Sequence, residues 1–554
     1  TAATEDLGGY KPIDPDDLGE SELIFRIHDK DDPMPPDDAE KQLSDSEREI
    51  LTRWVKQGGN YAQHWSFVPP RSTSPFGNPN TTKEAIIDGW VAKGFEKKPG
   101  LDFAPTADRA TLARRAALVL TGLPPDPDRL TAFLTDESTD AYERFVNELM
   151  LSPRFGEHQA RYWLDAVRYG DTHGLHLDNR RGIFPYRDWV VRAFNENLPL
   201  DEFITWQLAG DLLPEPTMAQ LTATGFVRMN PTTAEGGVIP EEFQAKNNFD
   251  RTETLGTVLL GMTMSCARCH THKYDPITQT EYYQLLAFFN STEEKPLDGN
   301  KYDYHPILKV PADQKAWDHW NELEADLDDL LKVAREALPA AEEAAWESNQ
   351  AKDNLAAVAE PNGSFKGTEL QPRAEDLRKR RNEAEKAFVT TLITRELSKP
   401  RETKLLLRGE YHQAAGDPLQ PDVLQVMGSF PEGAPRNRLG LAQWLTAREH
   451  PLVARVLVNR IWQRVFGEGL VRTPEDFGLQ GEQPTHPELL DWLAVELHDS
   501  NWDLRHMLRL MVTSKTFRQA SARRPELDDP ENRLLARGPS HRLDAEVLRD
   551  MGLW

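Results

Sequence analysis

Both cysteines of the 554-residue chain fall in one pentapeptide, Cys266-Ala267-Arg268-Cys269-His270, and no other feature constrains the chain as strongly. Two cysteines scattered at random would land at this spacing, with a histidine following, on the order of once in ten thousand sequences. The pattern is that of c-type haem attachment. Each thiol forms a thioether to a porphyrin vinyl group, and the adjacent imidazole of His270 binds the iron as an axial ligand. Two other chemistries use the same residues: a C-x-x-C disulfide, which leaves the histidine incidental, and a zinc half-site completed by distant histidines.

The flanking sequence suits a covered cofactor. Asp250-Arg251-Thr252-Glu253 reads as a capped helix start, and Leu255, Val258, Leu259 and Met262 carry apolar spacing up to the cysteines. This puts the motif at the end of a helix with an apolar face. His272-Lys273-Tyr274-Asp275-Pro276 then forms a turn, and the run from Tyr282 to Phe289 supplies aromatic side chains to wall a pocket.

A chain of this length supports two to four domains, and its 39% hydrophobic content with 14 Trp marks it as globular. No apolar run approaches the length of a membrane span. The net charge of −25 argues against nucleic acid or anionic lipid as a general partner, so any anionic substrate would need a local arginine cluster. The chain opens at Thr1 with no Met and no signal peptide. Export is implied by the motif itself, since bacteria fit covalent haem outside the cytoplasm, and a periplasmic or extracellular location follows.

Residues 1–68 give a short helix pattern over Ser21–Ile27, then Asp32-Pro33-Met34-Pro35-Pro36, then a helix capped by Ser44 or Ser46 with Ile50, Leu51, Trp54 and Val55 on one face. With His64-Trp65 at its end, this stretch resembles the C-terminal part of a planctomycete-type cytochrome c domain. The resemblance implies that Met34 is the distal ligand of a second haem c, whose C-x-x-C-H lies upstream of Thr1. Without that haem, Met34 is a methionine packed in a turn between prolines.

Residues 69–95, rich in Pro, Ser, Thr and Asn, read as a linker. Residues 96–312 read as a helical domain carrying the haem motif. In it Thr106 caps a helix that Gly122-Leu123-Pro124-Pro125 ends. Two further helices, around Arg161–Asp165 and Tyr186–Val190, are joined by Asp171-Thr172-His173-Gly174-Leu175-His176-Leu177-Asp178-Asn179, a polar loop suited to a site. Asp171, His173, His176 and Arg180 are its catalytic candidates; ordinary loop histidines bonded to backbone are the plainer reading. Arg180 and Arg181 would suit an acidic or sulfated group, and nearby Trp and Tyr residues could stack on sugar rings.

Together with Gln207–Pro214, Thr232–Gly237 and the Cys266–Pro276 stretch, this loop resembles a planctomycete domain family of unknown function that commonly follows the cytochrome domain. Its usual companion, also of unknown function, is resembled by Arg438–Leu445, Ala454–Trp462, Asp476-Phe477-Gly478 and His486–Leu493. That family normally continues past Asp544-Ala545-Glu546, so residues 401–554 read as an incomplete C-terminal helical domain. Between the two lies an insertion, 313–400. Trp317, Trp320, Leu323, Leu327 and Leu330, then Leu377, Arg381, Ala384, Phe388 and Leu392, predict an antiparallel helical hairpin, with Arg378-Lys379-Arg380-Arg381 as a solvated face balanced by Glu. The best strand candidates, Pro306–Val310 and Leu405–Gly409, would pair with one another across it.

The expected fold is therefore mainly α: a multi-domain helical protein with a truncated cytochrome c-like N-terminal part, the inserted hairpin and a few short strands. A haem held by Cys266, Cys269 and His270 needs a sixth ligand or an open face. His173, His176, His486, Met229, Met262 and Met264 are candidates, while His272, two residues past the axial histidine, reads as a neighbour of the site. Three functions remain open: a secreted electron-transfer protein with an electron donor or acceptor as partner, a haem-dependent oxidoreductase acting on an extracellular, carbohydrate-type substrate, and a non-catalytic binding module with a disulfide or metal clip. The sequence has no nucleophile elbow, Walker loop or dinucleotide fingerprint.

Overall fold

A computed structural model of the chain describes residues 11–36, 38–39, 41–60, 62–72, 81–349, 351–525 and 529–554. The chain divides into two compact units, Thr1–Trp65 and Ser66–Trp554. Among the described residues there are 22 α-helices and only four short strands, so the protein is mainly α.

In the first unit, the helix Asp45–Lys56 starts at Ser44. The Ser44 hydroxyl accepts from the Glu47 amide, and the Glu47 carboxylate accepts from the Ser44 amide at 2.8 Å, a complete capping box. Arg48 Nε donates to the Ile27 carbonyl at 3.0 Å and ties this helix to Glu22–His28. Of the expected apolar face, Val55 is buried and Ile50 is exposed. Met34 is 42% exposed.

The second unit contains all of 96–312, 313–400 and 401–554. The expected linker over 69–95 is corrected in its second half: Lys83–Phe95 is a helix capped by the Thr82 hydroxyl, burying Ile87, Trp90, Val91 and Phe95. Their spacing of three and four residues outweighs the proline-rich sequence before them, of which 73–80 lie outside the described residues. The next helix, Arg109–Thr121, is capped by Asp108, not Thr106; Asp108 Oδ1 accepts from the Thr111 amide at 2.9 Å, while Thr106 is bridged to Gln519. Gly122 ends the helix with a left-handed φ of 70°.

The insertion is more than a hairpin. Helices Gln314–Glu336 and Leu370–Glu385 pack together, but Glu343–Ser348 and Ala351–Ala359 lie between them in sequence and share one core with Trp320, Leu323, Leu327, Leu330 and Leu377. The basic run is balanced by acids, mostly Asp: Arg380 pairs with Asp326, and Arg381 pairs with Glu324 while lying 4.4 Å from the Trp320 ring centroid. Of the two candidates, Pro306–Val310 is a strand over Ile307–Val310, whereas Leu405–Gly409 is strand only at Leu405 and Leu406 and becomes a 3₁₀ segment over Leu407–Gly409; the two do not pair with each other. Ile307–Val310 (β1) is antiparallel to Val389–Leu392 (β2), and Thr403–Leu406 (β3) to Ala414–Leu419 (β4). The β-branched run from Val389 to Thr391 makes a strand of residues expected to continue the second helix.

Arg438 is fully buried at the start of the helix Arg438–Leu445. It donates to Asp211 at 2.7 and 2.9 Å, to Glu396 at 3.0 Å and to the Leu208 carbonyl at 2.7 Å. One guanidinium thereby joins its own helix to segments 42 and 227 residues away in sequence.

Candidate functional site

The pentapeptide is reached by the helix Pro240–Leu255, a wider π-type turn Gly256–Leu260, and Gly261 at φ 55°. The helix therefore starts ten residues before Asp250. Pro240 at its first position and Glu241 and Glu242 in its first turn provide the start signal, and Asp250–Glu253 belong to its last turns. At Gly261 a side chain would come within 2.8 Å of Val456 and 2.9 Å of Phe477, so only glycine allows that close approach.

Ser265–Arg268 forms a 3₁₀ turn, and the two residues between the cysteines anchor it. Ala267 is fully buried. Arg268 is ion-paired with Glu253, whose Oε1 also accepts from the Tyr282 hydroxyl at 2.9 Å, and its guanidinium lies 4.4 Å from the Phe249 ring centroid. The Arg268 carbonyl accepts from Gln279 Nε2 and from the Tyr283 hydroxyl, each at 3.0 Å. Burial pushes the Tyr283 hydroxyl well above its ordinary pKa, so it stays a donor at any working pH. The aromatic run from Tyr282 to Phe289 thus lies buried in the helix Gln279–Asn290 and supports the turn from inside.

With its middle residues held, the turn presents its ends outward. Cys266 and Cys269 are both exposed and unbonded to each other. Cys269 Sγ lies 3.2 Å from the Arg408 carbonyl, to which it donates. Gly409, at φ 74°, follows; a Cβ there would sit 3.1 Å from the Arg268 side chain and 3.2 Å from Cys269 Sγ. His270 is exposed, and its Nδ1 lies 2.8 Å from the Thr271 carbonyl. A carbonyl only accepts, so Nδ1 carries the hydrogen and Nε2 keeps the lone pair that a metal uses.

The other candidates are placed differently. His272 is buried; its Nδ1 accepts from the Asp275 amide at 2.9 Å. Asp275 is buried beside it, and its Oδ1 accepts from the Leu479 amide at 2.8 Å. Met264 is buried with its methyl against Gly256. All three are buried next to the turn in sequence and brace it from behind.

The polar loop does not gather its candidates. His173 is buried, with Nδ1 2.8 Å from Thr232 Oγ1 and 3.1 Å from the Asp298 carboxylate, and Nε2 donating to the Lys301 carbonyl at 2.9 Å. Both its nitrogens are committed to the fold. Asp171, His176 and Arg180 are exposed, His176 at a φ of 53°. No side-chain hydrogen bond or ion pair joins these four residues among the described residues. Arg181, paired with Arg180 in the sequence reading, is buried and spends four of its five N–H donors on the carbonyls of Gly170, Arg228, Met229 and Asn230, so its guanidinium is committed to the fold. Among the described residues no group of three or more His, Cys, Asp or Glu is placed to hold a metal ion.

Fold and site together define a mainly helical protein with a C-x-x-C-H turn on its surface. Residues 86–294 match the family model PSCyt2, a protein of unknown function (DUF1549), and residues 437–554 match PSD1, a protein of unknown function (DUF1553). These are the two planctomycete domain families whose motifs the sequence resembles. No curated protein and no solved structure matches the chain.

Proposed function

We propose that the chain is an exported c-type haem protein that relays electrons, with thioethers at Cys266 and Cys269 and His270 as the axial ligand. The observation that carries this reading is the pre-set turn: two free, outward thiols next to an exposed imidazole whose Nδ1 is occupied and whose Nε2 is available. The donor set fits the cofactor. In attachment each sulfur bonds to a vinyl carbon and its hydrogen passes to the neighbouring carbon, so no oxidant is consumed. When bound, haem supplies one-electron exchange between ferric and ferrous iron.

The chain's own residues hold the geometry. Glu253, Tyr283 and Gln279 fix Arg268, and with it the separation of the two sulfurs; the Thr271 carbonyl orients the His270 ring. A site on the surface suits exchange with a protein donor or acceptor. We further read the first unit as the C-terminal part of a cytochrome c-like domain, on the strength of its capped helix Asp45–Lys56 and of Met34, whose side chain is exposed and open to a second haem c.

The test is expression in a host with a cytochrome c maturation system, followed by acid-acetone extraction. Haem that stays with the protein and is lost in Cys266→Ala/Cys269→Ala supports the reading; haem absent, or extracted in full, refutes it. A low-spin reduced spectrum without carbon monoxide binding fits a relay. A high-spin iron that binds carbon monoxide transfers the assignment to a haem-dependent oxidoreductase.

A further inference from the structure

A cavity of about 1010 Å³ opens between the helices Arg109–Thr121, Pro153–Ala166 and Val453–Phe466 and the segment 539–547. Its walls come from both family-matched regions, and it does not include the cysteine turn. Six arginines line it: Arg114, Arg115, Arg168, Arg460, Arg464 and Arg542. In a chain of net charge −25 this reverses the prevailing sign.

The nearby acids do not cancel them. Of the carboxylates on the walls, Glu253 is held by Arg268 and Asp544 by Arg161, neither of which lines the cavity. Asp165 and Glu475 remain, against five arginines once Arg168 is set against Asp250. Among the described residues, Arg114 and Arg542 are exposed and have no ion pair or hydrogen bond, and Arg464 has only the Tyr162 ring, 4.8 Å from its guanidinium carbon. With three guanidinium groups lacking a carboxylate partner, the cavity suits something rich in acceptor oxygens. The Tyr162 face is already taken by Arg464, so a neutral sugar has no ring to stack on there.

We propose that this cavity binds a small, multiply charged oxyanion, a phosphoryl, sulfuryl or polycarboxylate compound, held by the guanidinium groups of Arg464, Arg114 and Arg542. Guanidinium groups match the paired oxygens of all three anion classes, and the volume is that of a small-molecule site. The site stands independently of the haem reading.

The test is calorimetric titration of the full chain at low ionic strength with pyrophosphate, a sulfated disaccharide and citrate, and with a neutral disaccharide as control. At least one anion is expected to bind, the neutral sugar not, and the arm that binds identifies the anion class. Arg464→Met is expected to weaken binding on the order of tenfold or more, as is the double variant Arg114→Ala/Arg542→Ala, whose positions are exposed and which therefore folds even if the first does not. Absence of binding by all three anions, or equal affinity in the double variant, overturns the proposal.

Discussion

Acid should destabilise this protein through histidines that the fold keeps neutral, and His450 shows how. Its ring is 3% exposed and packs edge-on against Trp444, with ring centroids 4.5 Å apart. Nδ1 accepts from the amides of Leu452 and Val453, each at 3.2 Å, at the start of the helix Val453–Phe466, and a protonated ring would lose that acceptor. Burial, with His498 nearby, pushes its pKa down to about 3. The unfolded chain protonates the same ring near the ordinary value of about 6.5. As pH falls through that value, the unfolded state gains a proton that the folded state refuses, so stability declines until the pH reaches the folded pKa. At about pH 5 the gap is roughly 1.5 pH units, worth about 2 kcal/mol for this one residue. Urea titrations at about pH 7.5 and about pH 5 measure the loss. In His450→Gln, which keeps an acceptor oxygen but cannot titrate, the loss between the two pH values should shrink by about 2 kcal/mol. An identical loss in the variant and the parent would refute the argument.

Three other outcomes follow from buried contacts. Arg438→Met leaves Asp211 and Glu396 as buried carboxylates without their cation and should cost about 3 to 5 kcal/mol in urea unfolding; a loss under about 1 kcal/mol would show that the triad relaxes. Gly409→Ala forces a Cβ into a left-handed position beside Cys269 Sγ, so it should cost about 1 to 2 kcal/mol and speed maleimide labelling of Cys269 relative to Cys266. Asp275→Ala strands the Leu479 amide and should cost about 1 to 3 kcal/mol, with faster hydrogen exchange at Leu479 as its local signature.

What could be read from the sequence was whatever depends on near neighbours. Trp317, Trp320, Leu323, Leu327 and Leu330 keep helical spacing and all five are buried, and Ser44 with Glu47 announces a helix start through its own hydrogen bonds. Strand existence was legible at Ile307–Val310 and, for the second strand, only at its last two residues, Leu405 and Leu406; pairing was not. A hairpin partner for Thr403–Leu406 lay eight residues on, while the β-branched run at Val389 was masked by a helical repeat that runs through it to Leu392, although the helix itself ends at Glu385. The polar loop misled for a related reason. A histidine beside aspartates looks like chemistry, yet His173 spends both nitrogens on Thr232, Asp298 and Lys301, partners no spacing rule would supply. The arginine-lined cavity gave no local signal, because its cations come from positions 114 to 542 and only the packed fold brings them together.

The two family-matched regions meet behind the cysteine turn, which gives a physical reason for their occurring together. The Phe477 amide donates to the Gly261 carbonyl at 2.7 Å, fixing the bend that launches the motif. Arg460 donates to the Thr257 carbonyl at 2.8 Å, within the wide turn just before it. Asp275, just past the motif, closes against Gly478 and Leu479. A surface turn built on a 3₁₀ segment has few hydrogen bonds of its own, and its sulfurs keep one separation only if both its entry and its exit are held. Residues 86–294 supply the inner contacts through Glu253, Tyr283 and Gln279, whereas the entry at Gly261 and the exit at Asp275 are held from residues 437–554. The second region is thus part of the scaffold that shapes the motif carried by the first.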